Sequence, residues 1–188
     1  TETKPSLLTF NEVTTLFHEF GHALHGMLAN TVYPSLSGTS VYRDFVELPS
    51  QVLENWCYEE EALKLFAKHY ETNEVIPMDL IEKIKASSTF MEASNIVRQL
   101  NFGLLDMAWH TTNPEQIKDV IEFEKEATAN TQITPLVAGV CMSTAFSHIF
   151  QGGYSSGYYS YKWSEVLDAD AFEYFQENGL FNAEIGEK

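Results

Sequence analysis

The feature that most constrains this chain is the pentapeptide HEFGH, which runs from His18 to His22. In a helix, two histidines four positions apart lie on one face and one turn apart, close enough to bind the same ion. The preceding residues supply a helix start, because Thr9 and Glu12 have the spacing of a capping box. From average residue usage, a His-Glu-x-x-His spacing arises by chance in about one in a hundred chains of this length. The pattern predicts a helix over residues 9 to 29 that presents two metal ligands one turn apart.

The predicted helix has two different faces. His18, His22 and His25 share one face, but His25 lies a turn too far along the helix to reach the same ion as His18. Gly21 is unexpected here, because glycine inside a helix costs about 1 kcal/mol relative to alanine. Either another helix packs closely against it or space is needed beside a metal, and the sequence favours neither explanation. The apolar face has helical spacing and comprises Val13, Leu16, Phe17, Phe20, Leu24, Met27 and Leu28.

A catalytic zinc site needs one more protein ligand, because such sites use three protein ligands and keep a fourth position for water. One known extension of the motif places a histidine six residues after the second ligand, and Leu28 stands there instead. Glu47 is the favoured third ligand, because an acid within the apolar stretch FVELPSQVLENW is costly to bury without a cation. Pro49 suits a first helical turn, so Glu47 is expected near a helix start. The other candidates are Asp44, Glu54, the run 59–61, His69, His110 and His148.

Two blocks of this sequence resemble the thimet oligopeptidase family of zinc metallopeptidases. The first block is HEFGHALHGML followed by RDFVELPSQ, and the second is FSHIFQGGYSSGYYSYKWSEVLDADAF near the C-terminus. The resemblance therefore covers nearly the whole chain. It implies a mainly α, zincin-like catalytic core of packed helices that contains the HExxH helix and forms part of a larger, helical, channel-forming peptidase.

The resemblance implies a role for each residue of the first block. His18, His22 and Glu47 are the zinc ligands, with one zinc ion per chain, and Glu19 is the catalytic acid and base. These roles agree with the chemistry, because zinc lowers the pKa of its bound water towards about 7 and a neighbouring carboxylate can accept the proton.

The resemblance also implies that the second block faces the substrate. His148 and Tyr161 are catalytic donors to the developing oxyanion, and Tyr154 and Tyr158 are substrate-binding residues. The tyrosines allow another interpretation, because spacings of i, i+4 and i+7 are typical of side chains that pack against a core. Three glycines within residues 152–157 favour a loop near a ligand instead.

The two blocks point to different branches of the family. SLSGTSVYRDFVELPSQ most resembles the dipeptidyl carboxypeptidase branch, whose members are peptidyl-dipeptidases that release dipeptides from peptide C-termini. The second block is equally close to oligopeptidase A, an endopeptidase that cuts within short peptides. We favour the first branch. From another class, the alternative is a non-catalytic helical binding module with a vestigial metal site, but Glu19 would then have no task.

Composition narrows the classes of partner. The formal net charge of −16 argues against nucleic acid and anionic membranes as partners. There is no apolar run of about 20 residues. Cys57 and Cys141 are expected to be buried, reduced and structural, as in a cytoplasmic protein. Helical patterns cover residues 9–29, 44–70, 77–110, 114–130 and 158–178.

The resemblance also predicts how the chain is organised. Residues 1–188 are expected to form the catalytic core of a longer protein, whose N-terminal half and extreme C-terminus lie outside this sequence. The other wall of the substrate channel would then be absent. The chain alone is therefore expected to bind zinc, to have little or no activity on short peptides, and to dimerise through exposed channel surface.

Overall fold

A computed structural model describes residues 5–187, so residues 1–4 and 188 of the predicted domain lie outside the described part. The regular secondary structure of these residues is helical, apart from one isolated β-bridge between Lys68 and Val75. The expectation of a mainly α fold is thus confirmed. None of the described helices is both long and apolar enough to cross a membrane. The α-helices are α1 Phe10–Leu28, α2 Arg43–Val46, α3 Leu48–Glu54, α4 Glu60–Phe66, α5 Met78–Ser88, α6 Glu92–Thr111, α7 Val120–Thr128, α8 His148–Gln151, α9 Ser160–Asn178 and α10 Ala183–Gly186.

Helix α1 begins as the sequence predicts. The Thr9 side chain accepts a hydrogen bond from the Glu12 backbone N–H at 3.3 Å, and Glu12 Oε2 accepts one from the Thr9 backbone N–H at 2.7 Å. This reciprocal pair satisfies two of the N–H groups that a helix start leaves without partners. Several residues on the predicted apolar face are at least half exposed, namely Leu16, Phe20, Met27 and Leu28.

The prediction of one continuous helix over residues 44–70 is wrong. Helix α2 ends at Val46, α3 begins at Leu48, and a 3-10 turn at Asn55–Tyr58 separates α3 from α4. Residues 67–76 are not helical and carry the Lys68–Val75 bridge. The apolar pattern continues through these breaks, which is why periodicity alone did not reveal them.

The helices predicted over residues 77–110 and 114–130 are also interrupted. Met91, with φ of 57°, adopts a left-handed conformation between α5 and α6, and this conformation cannot continue a right-handed helix. A 3-10 turn at Pro114–Gln116 precedes α7, and another at Ala129–Thr131 follows it. The last predicted helix, over residues 158–178, corresponds to α9.

The chain divides into two compact units. The first comprises the residues up to Phe90 together with those from Trp163 onward, and the second comprises Met91–Lys162. In the first unit, the Trp56 ring packs edge-on against Phe172 and Phe175, and the Trp56 Nε1–H donates to the Leu180 carbonyl at 3.2 Å. In the second unit, the core is formed by Phe102, Phe146 and Ile149.

Both cysteines are free thiols, as expected. Cys57 is buried, and this burial raises the pKa of its thiol to about 12. Cys141 is only partly buried, so the expectation of full burial is wrong for that residue. Its Sγ lies 3.4 Å from Glu124 Oε2, at the beginning of a short turn that the Glu124 carboxylate also holds through the backbone N–H of Met142.

Candidate functional site

The first unit brings together the three residues that the sequence analysis selected as metal ligands. Glu47 Oε2 lies 3.3 Å from His18 Nε2 and 3.1 Å from His22 Nε2. Helix α1 presents the two histidines one turn apart, with ring centroids separated by 4.9 Å. Glu47 occupies the junction between α2 and α3, and Pro49 lies in the first turn of α3, so the predicted position near a helix start is confirmed.

Glu47 is a buried carboxylate, with only 2% of its surface exposed. Ser50 Oγ donates hydrogen bonds to Glu47 Oε2 at 3.0 Å and to the Glu47 carbonyl at 2.8 Å. The serine therefore fixes both the side chain and the backbone of Glu47 relative to α3. A buried negative charge of this kind is costly unless a cation or hydrogen bonds compensate it, which agrees with the sequence argument.

A second carboxylate supports His18 from its other side. Glu54 Oε1, at the end of α3, lies 2.6 Å from His18 Nδ1. Hydrogen bonds to Glu47 and Glu54 raise the pKa of His18 to about 10. The two carboxylates thus favour positive charge on the ring of His18. A divalent cation would compete with the proton for the nitrogen that faces Glu47, His18 Nε2. Glu54 was one of the candidate ligands, and its contact with Nδ1 instead fits the support that metal-binding histidines receive.

The donor set fits a zinc ion. The three side chains each offer one ligand atom, and these atoms lie within 4.8 Å of one another. Zinc prefers histidine nitrogen and carboxylate oxygen, and donors about 2.0–2.2 Å from a tetrahedral ion are about 3.3–3.6 Å apart. The distances from Glu47 Oε2 to His18 Nε2 and His22 Nε2, 3.3 Å and 3.1 Å, are close to this spacing. Within the described part of the chain, no other group of three metal-binding side chains converges in this way.

The remaining candidate ligands lie outside this cluster. Asp44 is partly buried, and the Asp44 carbonyl accepts a hydrogen bond from Ser164 Oγ at 3.1 Å. Of the run 59–61, Glu59 lies 3.2 Å from the Lys85 ammonium. His69 Nδ1 accepts a hydrogen bond from a backbone N–H within its own turn. The ring of His25 packs 6.3 Å from that of Phe45, and burial lowers the pKa of His25.

Glu19 lies between the two histidines in sequence but outside the group of converging donors. Its side chain is exposed, unlike that of Glu47. A carboxylate in this position is not one of the three converging donors, and it is accessible to solvent. These are the properties that a group needs if it is to exchange a proton with water or substrate.

The second unit brings together the other predicted site residues. The rings of Tyr154 and Tyr161 stack with centroids 5.0 Å apart and an interplanar angle of 25°. The ring of His148 lies 6.2 Å from that of Tyr154. Tyr154 is buried, Tyr161 is partly buried, and His148 is exposed at the start of α8. The three aromatic residues therefore form one continuous cluster within that unit.

Tyr158 has the contacts of a core residue. Its ring packs against Phe102 and Phe146, with centroids 5.7 Å and 4.9 Å away, and its hydroxyl donates to Gln99 Oε1 at 3.1 Å. Burial raises the pKa of the Tyr158 phenol to about 12. These contacts favour the packing interpretation that its helical spacing allowed, and its role as a substrate contact stays a prediction.

The glycine-rich segment before Tyr158 is an ordered turn that a buried carboxylate holds in place. Asp106, in α6, is 1% exposed and accepts hydrogen bonds from the backbone N–H groups of Ser156 and Tyr158, each at 2.9 Å. Ser156 has φ of 56°, which is unfavourable for a residue with a side chain. His110 Nδ1 lies 2.9 Å from the same carboxylate, so this candidate ligand is engaged there.

Asp106, which holds this turn, is a residue that the sequence analysis did not single out. Its signal was present, because an acid within the apolar helical stretch FGLLDMAWH needs partners when buried. The same argument selected Glu47. The backbone N–H groups that Asp106 accepts from lie 50 and 52 positions further along the chain, and nothing in the local pattern identifies them.

Comparison with known proteins gives consistent results. The profile of Peptidase family M3 matches residues 1–188. Oligopeptidase A of Salmonella typhimurium is 48% identical over 186 residues, which cover 98% of this chain and 27% of that protein. The "Probable cytosolic oligopeptidase A" of Arabidopsis thaliana is 46% identical over 179 residues, which cover 94% and 26%. Dipeptidyl carboxypeptidase of Salmonella typhimurium is 40% identical over 187 residues, which cover 98% and 28%.

The chain thus spans about a quarter of the length of the curated relatives that it matches. The match is continuous over nearly all of this chain, and the relatives are named as peptidases. Identity is higher with the oligopeptidases A than with the dipeptidyl carboxypeptidase.

Proposed function

Because the chain belongs to Peptidase family M3, a family of metallopeptidases, we propose that it carries the active site of a zinc peptidase that hydrolyses short peptides. The observation that carries this proposal is the convergence of His18, His22 and the buried Glu47 on one point. The chain would then be the catalytic core of a longer protein, since it covers about a quarter of its relatives.

In this proposal His18 Nε2, His22 Nε2 and a carboxylate oxygen of Glu47 would hold one zinc ion. When bound, such an ion lowers the pKa of a coordinated water and polarises the carbonyl of the peptide bond. Ser50 holds the Glu47 carboxylate, and Glu54 orients the ring of His18. Support of this kind keeps the donors in one geometry before the ion arrives.

Glu19 acts as the proton carrier. Its exposed carboxylate accepts a proton from the attacking water and later donates it to the leaving amine. A carboxylate that also bound the metal would be a weaker base, because the cation would stabilise its negative charge. The exclusion of Glu19 from the converging donors supports this role.

Tyr161 and His148 donate hydrogen bonds to the oxyanion that develops at the attacked carbonyl, and Tyr154 contacts the substrate. Donors already in place at such an oxygen are worth about 10²- to 10³-fold in turnover. Stacking on Tyr154 restricts the ring of Tyr161, which supports a fixed position for its hydroxyl.

For the type of cleavage, the identities favour internal cuts in short peptides, as in an oligopeptidase A. Dipeptide release, which the segment around Glu47 favoured in the sequence analysis, is the alternative activity of the same site. Two features support action in the cytoplasm, namely free thiols at Cys57 and Cys141 and a relative whose name includes cytosolic.

Tyr161→Phe is expected to lower kcat of the full-length protein by about 10²- to 10³-fold with little change in KM, because only the hydroxyl donor is removed. Steady-state kinetics on a fluorogenic peptide would measure both constants. Tyr159→Phe is the matched control, since Tyr159 is 51% exposed and two residues away. A Tyr161→Phe protein with normal kcat and a lowered Tm would show that this tyrosine serves packing.

The proposed function is tested with two peptides of about ten residues, one with a free C-terminus and one amidated, incubated with zinc-loaded protein. We expect the full-length protein to cut both peptides internally, and the 188-residue chain alone to show little or no activity. Holding the peptide with its carbonyl near the metal accounts for several kcal/mol of barrier lowering, and the chain supplies only part of the holding surface.

Mass spectrometry of the products identifies the bonds that are cut. Cleavage only of the free peptide, with dipeptides as products, would establish the alternative activity. Rapid hydrolysis by the 188-residue chain would show that it already contains the complete peptide-binding surface. Absence of any cleavage by the zinc-loaded full-length protein would contradict the proposed function.

A further inference from the structure

Gly21 lies where α1 packs against the first turn of α3. It is the buried residue of α1, one position before His22. A Cβ atom built on Gly21 would lie 2.5 Å from the Pro49 carbonyl oxygen and 2.5 Å from the Ser50 Cα. Both are backbone atoms, so no side-chain rotation can relieve the overlap. Any side chain at position 21 would have to move the helices apart.

The backbone that Gly21 contacts is the backbone that carries Glu47. Pro49 and Ser50 form the first turn of α3, which begins one residue after Glu47. Ser50 Oγ is hydrogen-bonded to both the carboxylate and the carbonyl of Glu47. A displacement of this turn would therefore carry the Glu47 carboxylate with it and away from His22.

The size of this displacement decides whether Glu47 and the two histidines stay close enough to bind one ion. Ordinary van der Waals contact begins at 3.4 Å, and the built Cβ stands at 2.5 Å, so the separation must grow by about 1 Å. Glu47 Oε2 is now 3.1 Å from His22 Nε2. An increase of about 1 Å would make this distance longer than the spacing of two donors on one tetrahedral zinc ion, which is about 3.3–3.6 Å.

We propose that Gly21 is a positioning residue whose missing side chain sets the distance between the α1 histidines and Glu47. This inference rests on the proposed function, because it assumes that these three residues bind a metal ion. It also decides between the two explanations that the sequence left open. Close packing of a neighbouring helix requires the glycine, and that same packing brings the third ligand to the metal.

The chain offers a matched control in the same helix. Gly26 is exposed, and a Cβ atom built on it meets nothing within 4 Å. Both Gly21→Ala and Gly26→Ala improve helix propensity. They differ in the contact with α3, so a difference in metal binding between them reports that contact.

The test is a zinc titration of the 188-residue chain and its two variants in competition with a chromophoric chelator. We expect Gly26→Ala to bind one zinc ion with wild-type affinity, and Gly21→Ala to bind about 10- to 100-fold more weakly, as after loss of a supporting residue. Cobalt(II) provides a second readout, because its visible absorption reports the coordination geometry. The band per bound ion should weaken in Gly21→Ala and stay unchanged in Gly26→Ala.

Circular dichroism establishes whether each variant is folded. If Gly21→Ala is partly unfolded, the titrations are repeated with trimethylamine N-oxide, which favours the compact state. Wild-type zinc affinity and cobalt absorption in Gly21→Ala would overturn this inference and leave the proposed function intact. A Gly21→Ala chain that stays unfolded would overturn it too, because the glycine would then serve the whole fold. Failure of the wild-type chain to bind zinc would contradict the proposed function itself.

Discussion

Glu47→Ala is expected to lower the zinc affinity of the chain by more than about 100-fold, because removing a ligand should cost more than the 10- to 100-fold that removal of a supporting residue costs. The buried carboxylate is the only acidic side chain among the three converging donors. Its loss leaves two imidazole donors, which carry no negative charge to balance that of the ion. The zinc content after dialysis, measured by elemental analysis, should fall from about one ion per chain to nearly none.

His25→Ala is the control for Glu47→Ala. His25 is on the same helix as His18 and His22 but outside the converging group. Its removal should leave the zinc content at about one per chain. Retention of zinc by Glu47→Ala together with loss from His25→Ala would overturn the assignment of the third ligand.

Glu19→Gln is expected to lower kcat of the full-length protein by about 10²- to 10⁴-fold, the range that a positioned general base contributes. Zinc content and KM should stay near their wild-type values, because the amide has the same shape and the three donors are unchanged. Stopped assays on a fluorogenic peptide, combined with elemental analysis of the same samples, measure all three quantities.

Glu61→Gln is the matched control for Glu19→Gln, since Glu61 is also an exposed carboxylate on a helix of the first unit. It should leave kcat unchanged. A Glu19→Gln protein with wild-type kcat would refute the role of Glu19 as proton carrier.

The sequence predicted the HExxH helix well because its signals are local. The capping box spans four residues, and the two histidines are one turn apart, so helical geometry alone brings them together. Glu47 was predictable for a related reason, since an acid in an apolar stretch needs a partner. The breaks between α2, α3 and α4 were not predictable from periodicity, because apolar residues continue across them.

Contacts between distant segments limited the rest of the prediction. The two explanations of Gly21 could not be separated until the backbone of Pro49 and Ser50 was seen beside it. Glu54 was recognised as a candidate ligand, but its contact with His18 Nδ1 depends on the orientation of a ring. Asp106 was missed because the turn that it holds lies some fifty positions further along the chain.

The short stretch of chain between His18 and Glu47 has a thermodynamic consequence. The two residues are 29 positions apart and come from different helices of one unit. A zinc ion bound by both residues would join two helices across a loop of about 30 residues in the folded chain. The unfolded chain does not hold these donors together, so the ion would bind the folded chain preferentially. Such binding raises the free energy of unfolding of the first unit, and the increase grows with the free zinc concentration, in addition to any chemistry that the ion supports.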